Sequence, residues 1–282
     1  MEKIFIKNKK NQSVFDAIIE FRPTLNFSML KTVLRKKDIR VNGKKIDQNK
    51  AIFDGDVVEV FLPSKKQKEI PILFEDKNVV IANKPAGIEV TKADKTFLDS
   101  DCLEEILNAT ACHRLDKNTE GIVVLAKNKT AEDAIVEAFK NQKIKKTYTA
   151  IVFGNVNKNG EKLENFLIKE QNFVKICKKN EKNAKIAKLS YVVKNQKDKL
   201  FELTINLETG RTHQIRVQLS GKKIFVLGDE KYGQKEINKK YHKKKQMLCA
   251  SKIVFENTSN PLEYLSGKTF EIKPTFCLDD FE

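Results

Sequence analysis

Cysteine is scarce in this chain: five residues in 282, at positions 102, 112, 177, 249 and 277, with no Cys-x-x-Cys among them. An odd count at wide spacing excludes a complete disulfide framework, and the missing pairs leave no zinc knuckle. Reduced thiols and no metal site are therefore expected; the neighbours of Cys112-His113 lack metal-ligand spacing. Long apolar runs are also missing. None approaches the ~20 residues that a membrane span needs, and Met1-Glu2-Lys3-Ile4-Phe5 has no secretory apolar core, so a cytoplasmic protein is expected with no membrane partner. Acidic residues are the minority, 38 against 54 Lys and Arg, for a net charge of +16. That excess is spread along the chain and favours a polyanionic partner. No internal repeat is evident.

What is present falls into two modules. Val14, Phe15, Ile18 and Ile19 recur at helical spacing, as do Phe27, Leu30, Val33 and Leu34, with Pro23-Thr24 between them. Lys31, Arg35, Lys36 and Lys37 stand off the second apolar stripe. Arg40-Val41-Asn42-Gly43 then reads as a strand entering a tight turn, and Asp54-Gly55-Asp56 opens the closing strand Val57–Leu62. Its basic residues are expected on one small surface. The polar stretch that follows gives a first domain over 1–62, a linker over 63–70 and a second domain over 71–282. From Pro71 onward short strands predominate: 72–74, 79–82, 122–126, 147–153, 188–193 and 201–207. One helix carries Ala131, Ala134, Ile135, Ala138 and Phe139 on its apolar stripe. Strands in adjacent pairs point to an α+β fold with a mixed sheet rather than a βαβ array.

The most informative stretch is His113-Arg114-Leu115-Asp116-Lys117-Asn118-Thr119-Glu120-Gly121, directly before the apolar run Ile122–Ala126. A turn followed by a buried strand places Asp116 at a strand mouth, where a nearby cation can keep a carboxylate ionised. The alternative is a turn aspartate that bonds its own backbone. Three further segments have compositions that core packing does not require: Asn83-Lys84-Pro85-Ala86-Gly87, Lys146-Thr147-Tyr148-Thr149-Ala150, and, densest of the three, Glu208-Thr209-Gly210-Arg211-Thr212-His213-Gln214-Ile215-Arg216-Val217-Gln218-Leu219. Read as an extended segment, the last puts Thr212, Gln214 and Arg216 on one face and His213, Ile215 and Val217 on the other.

In this order, together with Gly228-Asp229, Lys231-Tyr232-Gly233 and Leu248-Cys249-Ala250, these segments resemble the RluA-type family of RNA pseudouridine synthases. Residues 1–62 resemble the alpha-L RNA-binding motif through the Ser28–Lys37 helix, Arg40-Val41-Asn42-Gly43 and Asp54-Gly55-Asp56-Val57-Val58. The resemblance implies a small helix-turn-helix-plus-strands RNA-binding domain ahead of a mixed-sheet catalytic domain. It implies isomerisation of uridine to pseudouridine in structured RNA, without a cofactor, with large-subunit ribosomal RNA as substrate. Transfer RNA is the alternative substrate, and a non-catalytic RNA-binding or ribosome-assembly protein the alternative class. On the same ground Asp116 is the catalytic carboxylate, acting as nucleophile or base. Arg216 is its paired cation, and Tyr148 the aromatic beside the base, with a hydroxyl suited to the last proton removal. Arg114 fills the space that an extruded base vacates, while Arg211 and Gln214 order the loop or touch phosphate. Lys31, Arg35, Lys36 and Arg40 are the RNA-facing cations of the first domain, and a monomer is expected. His213 is either a packed imidazole or an RNA contact. The run Lys239–Lys245 is either an arm for phosphate or a disordered loop. Four positions depart from the family pattern without removing a catalytic group: Glu120, Gln218, Ile224 and Phe225.

Overall fold

In a computed structural model of the chain, residues 2–23, 25–62, 69–92, 102–171 and 173–281 are described. They form two compact units, one on residues up to Glu69 and one from Ile70 onward. Of the expected linker, residues 63–68 lie outside the described residues.

The first unit runs β1 (Glu2–Lys7), α1 (Val14–Phe21), α2 (Phe27–Arg35), β2 (Ile39–Val41), β3 (Lys44–Lys45) and β4 (Val57–Leu62). Ser13 and Asn26 cap the helices, their side-chain oxygens accepting from Asp16 N (3.2 Å) and Met29 N (3.0 Å). The strands pair antiparallel in the order β1-β4-β2-β3. Asn42 and Gly43 take left-handed conformations at the β2–β3 turn, as a two-residue hairpin requires. Asn42 also bonds Asp56 and the amide of Val57 (2.7 and 2.8 Å), tying that turn to Asp54-Gly55-Asp56. The core joins Phe15, Ile18, Leu30 and Val33 to Ile39, Val41, Val58 and Val60. This alternation corrects the expectation of a single basic surface. Ile39 and Val41 face the helices, so Arg40 between them faces the other way, where its guanidinium lies 5.0 Å from the Phe61 ring. Lys31, Arg35 and Lys36 are exposed on α2, on the opposite side of the sheet.

The second unit is built on a twelve-stranded mixed sheet among the described residues. The strands that matter here are β5 (Ile72–Glu75), β6 (Val79–Lys84), β7 (Glu120–Ala126), β8 (Ile144–Gly154), β9 (Glu161–Glu170), β10 (Phe173–Cys177), β11 (Lys185–Lys197), β12 (Leu200–Leu207) and β13 (Leu248–Phe255). They lie in the order β10-β9-β11-β12-β8-β13-β7-β6-β5. α3 (Lys129–Lys140), capped by Asn128, packs Ala131, Ile135 and Ala138 on one face of this sheet, with Ile122, Val124 and Phe255. The opposite face carries Val123, Leu125, Tyr148, Ala150, Leu203 and Ile215.

Two features of this sheet position the site. β13 is inserted between β7 and β8 and pairs parallel with β7 through Glu120 and Gly121, opposite Cys249 and Ala250. Gly121 is needed there: its φ is +124°, and a Cβ would fall 2.5 Å from the Ala250 backbone. The second feature is a correction. Gln214–Gly221 is not extended but a helix, α4, and every residue from Gln214 to Leu219 is buried. Lys239 and Lys240 close a short helix, and Tyr241 packs edge-on against Phe281, so the first half of the basic run is ordered. No helix among the described residues is long and apolar enough to cross a membrane.

Candidate active site

Asp116 sits in the loop between Thr110-Ala111 and β7, and this loop is held from beneath by a buried lysine. Lys84, at the end of β6, has no exposed surface, and its ammonium donates to the carbonyls of Pro85 (3.0 Å), Ile88 (2.9 Å) and Lys117 (3.1 Å). The amide of Gly87 donates to the same Lys117 carbonyl at 2.7 Å. Leu115 is buried in the core, and Thr119 N donates to Asp116 O at 3.0 Å, closing a turn. Gln246 donates to the Thr119 hydroxyl from the other side. Asp116 is thus a turn residue through its backbone alone, and its carboxylate is left to other partners.

The principal partner is Arg216, on the first turn of α4. Its Nη1 donates to Asp116 Oδ2 at 2.7 Å, while Nε and Nη2 grip the two oxygens of Asp229 at 2.7 and 2.8 Å. Arg216 is 8 % exposed and Asp229 2 %. Burial opposes both charges, but each is stabilised by the other. Asp229 stays below the ordinary carboxylate range through Arg216 and the amides of Tyr232 and Lys231, and Arg216 is held more firmly protonated than a free arginine by Asp229 and Asp116. A planar, bidentate grip on one carboxylate aims the third nitrogen at the other. The ring of Tyr232 lies 5.0 Å from the Arg216 Cζ and closes that flank.

Two neutral groups complete the surroundings. Tyr148, buried on β8, has its hydroxyl pushed up in pKa first by burial and then by the Asp116 charge, so it is a phenol and not a phenolate. His213, in a left-handed conformation just before α4, has Nδ1 2.8 Å from the Tyr232 hydroxyl and Nε2 3.9 Å from Asp116 Oδ1. Burial favours its neutral form, against the pull of Asp116. A cavity of about 60 Å³ lies between Arg114, Asp116, Tyr148, His213 and Arg216. A larger one, about 820 Å³, shares Arg114, Asp116, Tyr148 and Arg211 with it and extends past Phe139 and Lys146. A carboxylate at the edge of such a cleft, fixed by a guanidinium and flanked by a phenol, can attack or deprotonate a bound carbon centre.

Asp116, Tyr148 and Arg216 therefore converge, with Arg114 exposed at the rim. Gln214 does not reach the cavity as a free side chain. Its Oε1 accepts from the Thr209 hydroxyl (2.8 Å) and Arg211 N (2.9 Å), and its Nε2 donates to Lys188 O (3.0 Å). Of the two roles expected for it, the loop-ordering one accounts for every bond it makes. Arg211 donates Nε to Ile186 O at 2.9 Å and lines both cavities. Asp229, His213 and Tyr232 were not assigned as site residues from the sequence, although Gly228-Asp229 and Lys231-Tyr232-Gly233 are conspicuous in it; their partners lie in other segments. Among the described residues no group of three or more His, Cys, Asp or Glu is placed to hold a metal ion.

Comparison with known proteins is consistent along the chain. Residues 78–221 match the family described as RNA pseudouridylate synthase. An uncharacterized RNA pseudouridine synthase of Mycoplasma capricolum is 29% identical over 95% of this chain and 96% of its own length. Ribosomal large subunit pseudouridine synthase C of Rickettsia bellii is 30% identical over 82% of this chain and 85% of its own. Among solved structures, human RNA pseudouridylate synthase domain containing 1 superposes with a TM-score of 0.62, covering 77% of this chain and 89% of that one at 20% identity.

Proposed function

Since the chain belongs to the RNA pseudouridylate synthase family, we propose that it converts particular uridines of large-subunit ribosomal RNA into pseudouridine, with Asp116 as the group that meets the nucleoside. The observation that carries this reading is the chain of contacts from Asp229 through Arg216 to Asp116, which supplies a carboxylate already paired with a cation and already aimed. The reaction moves uracil from a nitrogen link to a carbon link on the same ribose, with no change in oxidation state and no need for a cofactor.

The residues divide the work by chemistry. Asp116 attacks the anomeric carbon or removes a proton from the neighbouring ribose carbon, in either case loosening the glycosidic bond. The freed uracil turns against the Tyr148 ring and is rejoined through carbon. The proton left on that carbon is then removed. A proton must at the same time reach the ring nitrogen freed from the sugar, and Tyr148, held as a neutral phenol, relays it there, taking the carbon's proton as it gives up its own and not acting as a standing base. A target inside folded RNA must leave its stack, at a cost of a few kcal/mol, and the exposed Arg114 guanidinium is suited to occupy the gap. Lys31, Arg35 and Lys36 on one helix add phosphate contacts from the first unit. The same reading puts the protein in the cytoplasm, with its thiols reduced, working as a monomer.

The test is to map pseudouridine in total RNA from cells lacking the protein and to complement with wild type and Asp116→Ala. Specific sites in large-subunit ribosomal RNA are expected to vanish and to return with wild type alone. Full restoration by the variant overturns the role of Asp116. Loss of sites from transfer RNA alone overturns the substrate.

A further inference from the structure

The mechanism above leaves a partly buried cation unused. Lys146 lies two residues before Tyr148 on β8, so the two side chains share a face about 7 Å apart along the strand. Its ammonium sits 4.9 Å from the Phe139 ring centroid and near Gly210, whose added Cβ would lie 3.4 Å from Nζ. Among the described residues Lys146 has no ion-pair partner. It lines the cavity of about 820 Å³, which opens beside Asp116 and Tyr148. The charged residues of that lining come from every element around it: Arg114 and Asp116 from the catalytic loop, Lys140 from the end of α3, Lys145 from β8, Glu208 and Arg211 from the turn before α4. Cations outnumber acids, and neither acid pairs with Lys146.

The wall behind it holds a second unused donor. His113 Nε2 accepts from Val124 N at 3.0 Å, which leaves the proton on Nδ1, and Nδ1 is buried with no partner among the described residues. Burial, and then the Lys146 charge, keep this ring neutral. A cavity lined by an ammonium that has no counter-ion among the described residues, and that opens beside Asp116 and Tyr148, lacks an anion that arrives with the substrate.

We propose that Lys146 is the floor of a phosphate subsite, binding a phosphodiester of the RNA strand beside the target uridine. The inference rests on the reading of this chain as an RNA-modifying enzyme and extends it to how the strand is held. A phosphate one step along the backbone from the nucleoside at Tyr148 meets Lys146, while Arg114 and Arg211 flank the strand. The subsite recognises backbone and not base, so it fixes the register of the strand without choosing the sequence. Burial pulls the Lys146 amine down to about 8, so the free site loses charge in mildly alkaline solution and the bound phosphate restores it.

The test uses the full chain with Asp116→Asn as a background that halts chemistry, and a transcript of bacterial large-subunit ribosomal RNA as the probe. Lys146→Gln is expected to weaken binding about tenfold and to lower the slope of log Kd against log salt by about one phosphate, and Lys146→Arg to restore both. In the background protein, affinity falls as pH rises from 7 to 9, because the amine must take up a proton to bind; in Lys146→Arg that fall disappears. An unchanged salt slope in Lys146→Gln, or a pH dependence that persists in Lys146→Arg, overturns the subsite. Product formation by the protein with Asp116 intact is measured in parallel. Absence of pseudouridine there overturns the function and leaves the binding result standing, whereas normal product with unaltered slopes overturns the subsite alone.

Discussion

Asp229→Asn tests the claim that catalytic readiness depends on a residue that does not face the cavity. The change keeps shape and removes charge. In the folded protein Asp229 accepts both Nε and Nη2 of Arg216, at 2.7 and 2.8 Å, and the amides of Lys231 and Tyr232, at 2.9 and 3.1 Å. Breaking a buried ion pair on one side costs about 3–5 kcal/mol because the other charge stays buried. Asparagine keeps one acceptor, so about 2–4 kcal/mol is expected. Asp116→Asn takes the charge from a single bond at a side chain that is 20% exposed, and about 1 kcal/mol is expected after solvent screening. The chain has no tryptophan, so urea unfolding is followed by circular dichroism. The two compact units can unfold in separate steps, and only the step of the larger one moves. Activity falls about 100-fold in Asp229→Asn, because an Arg216 freed to shift by about an ångström no longer aims Asp116. The pH dependence has a definite sign. The folded pKa of Asp229 lies below its unfolded value, so its stabilisation is complete above about pH 4 and fades as pH falls through the folded value. The gap between wild type and Asp229→Asn therefore closes on acidification. A variant within about 0.5 kcal/mol of wild type at pH 7, with activity within threefold, refutes the reasoning.

Two further outcomes are expected. Lys84→Met leaves the carbonyls of Pro85, Ile88 and Lys117 without their shared donor, which costs about 2–4 kcal/mol in thermal or urea unfolding and lowers kcat by loosening the turn that carries Asp116. Replacing Lys31, Arg35 and Lys36 together by Gln lowers the salt slope of RNA binding by about two to three phosphates, whereas Arg40→Gln, on the other side of the sheet, adds little; an equal effect from Arg40 would show that both faces bind.

How much of this could be read in advance depends on where each residue finds its partners. The helices of the first unit and the turn at Asn42-Gly43 are legible because their signals are local: apolar spacing, caps and a dipeptide. The sequence Gln214-Ile215-Arg216-Val217-Gln218-Leu219 misleads for an equally physical reason. Polar and apolar residues alternate in it, which is the pattern of a half-buried strand. The segment is a helix buried all round, and its polar side chains meet fixed partners in place of water: Gln218 donates toward Ala187 O and Asn165 Oδ1 (3.1 and 2.9 Å), and Arg216 bonds two carboxylates. Periodicity carries no information where both faces are interior. The pairing of Asp116 with Arg216 spans 100 residues and was legible only through the resemblance, and the role of Asp229 was not legible at all. The strand Glu161–Glu170 was missed because its many charged and amide residues hide the buried apolar positions 163 and 167, and Phe173–Cys177 because its five residues are too few to show a period.

The place of β13 in the sheet has a consequence for how the protein comes into being. β7 and β8 are made early and lie only some twenty residues apart in the chain, yet the slot between them is filled by a strand synthesised roughly ninety residues later. At about 5–20 residues per second, ribosomes need roughly 5–20 s to supply it. Throughout that interval two strand edges stand open, and the loop bearing Asp116 and the strand bearing Tyr148 have no common support. The molecule therefore reaches its working geometry only when its last quarter has emerged, and a truncated or stalled chain carries the reactive carboxylate without the frame that aims it.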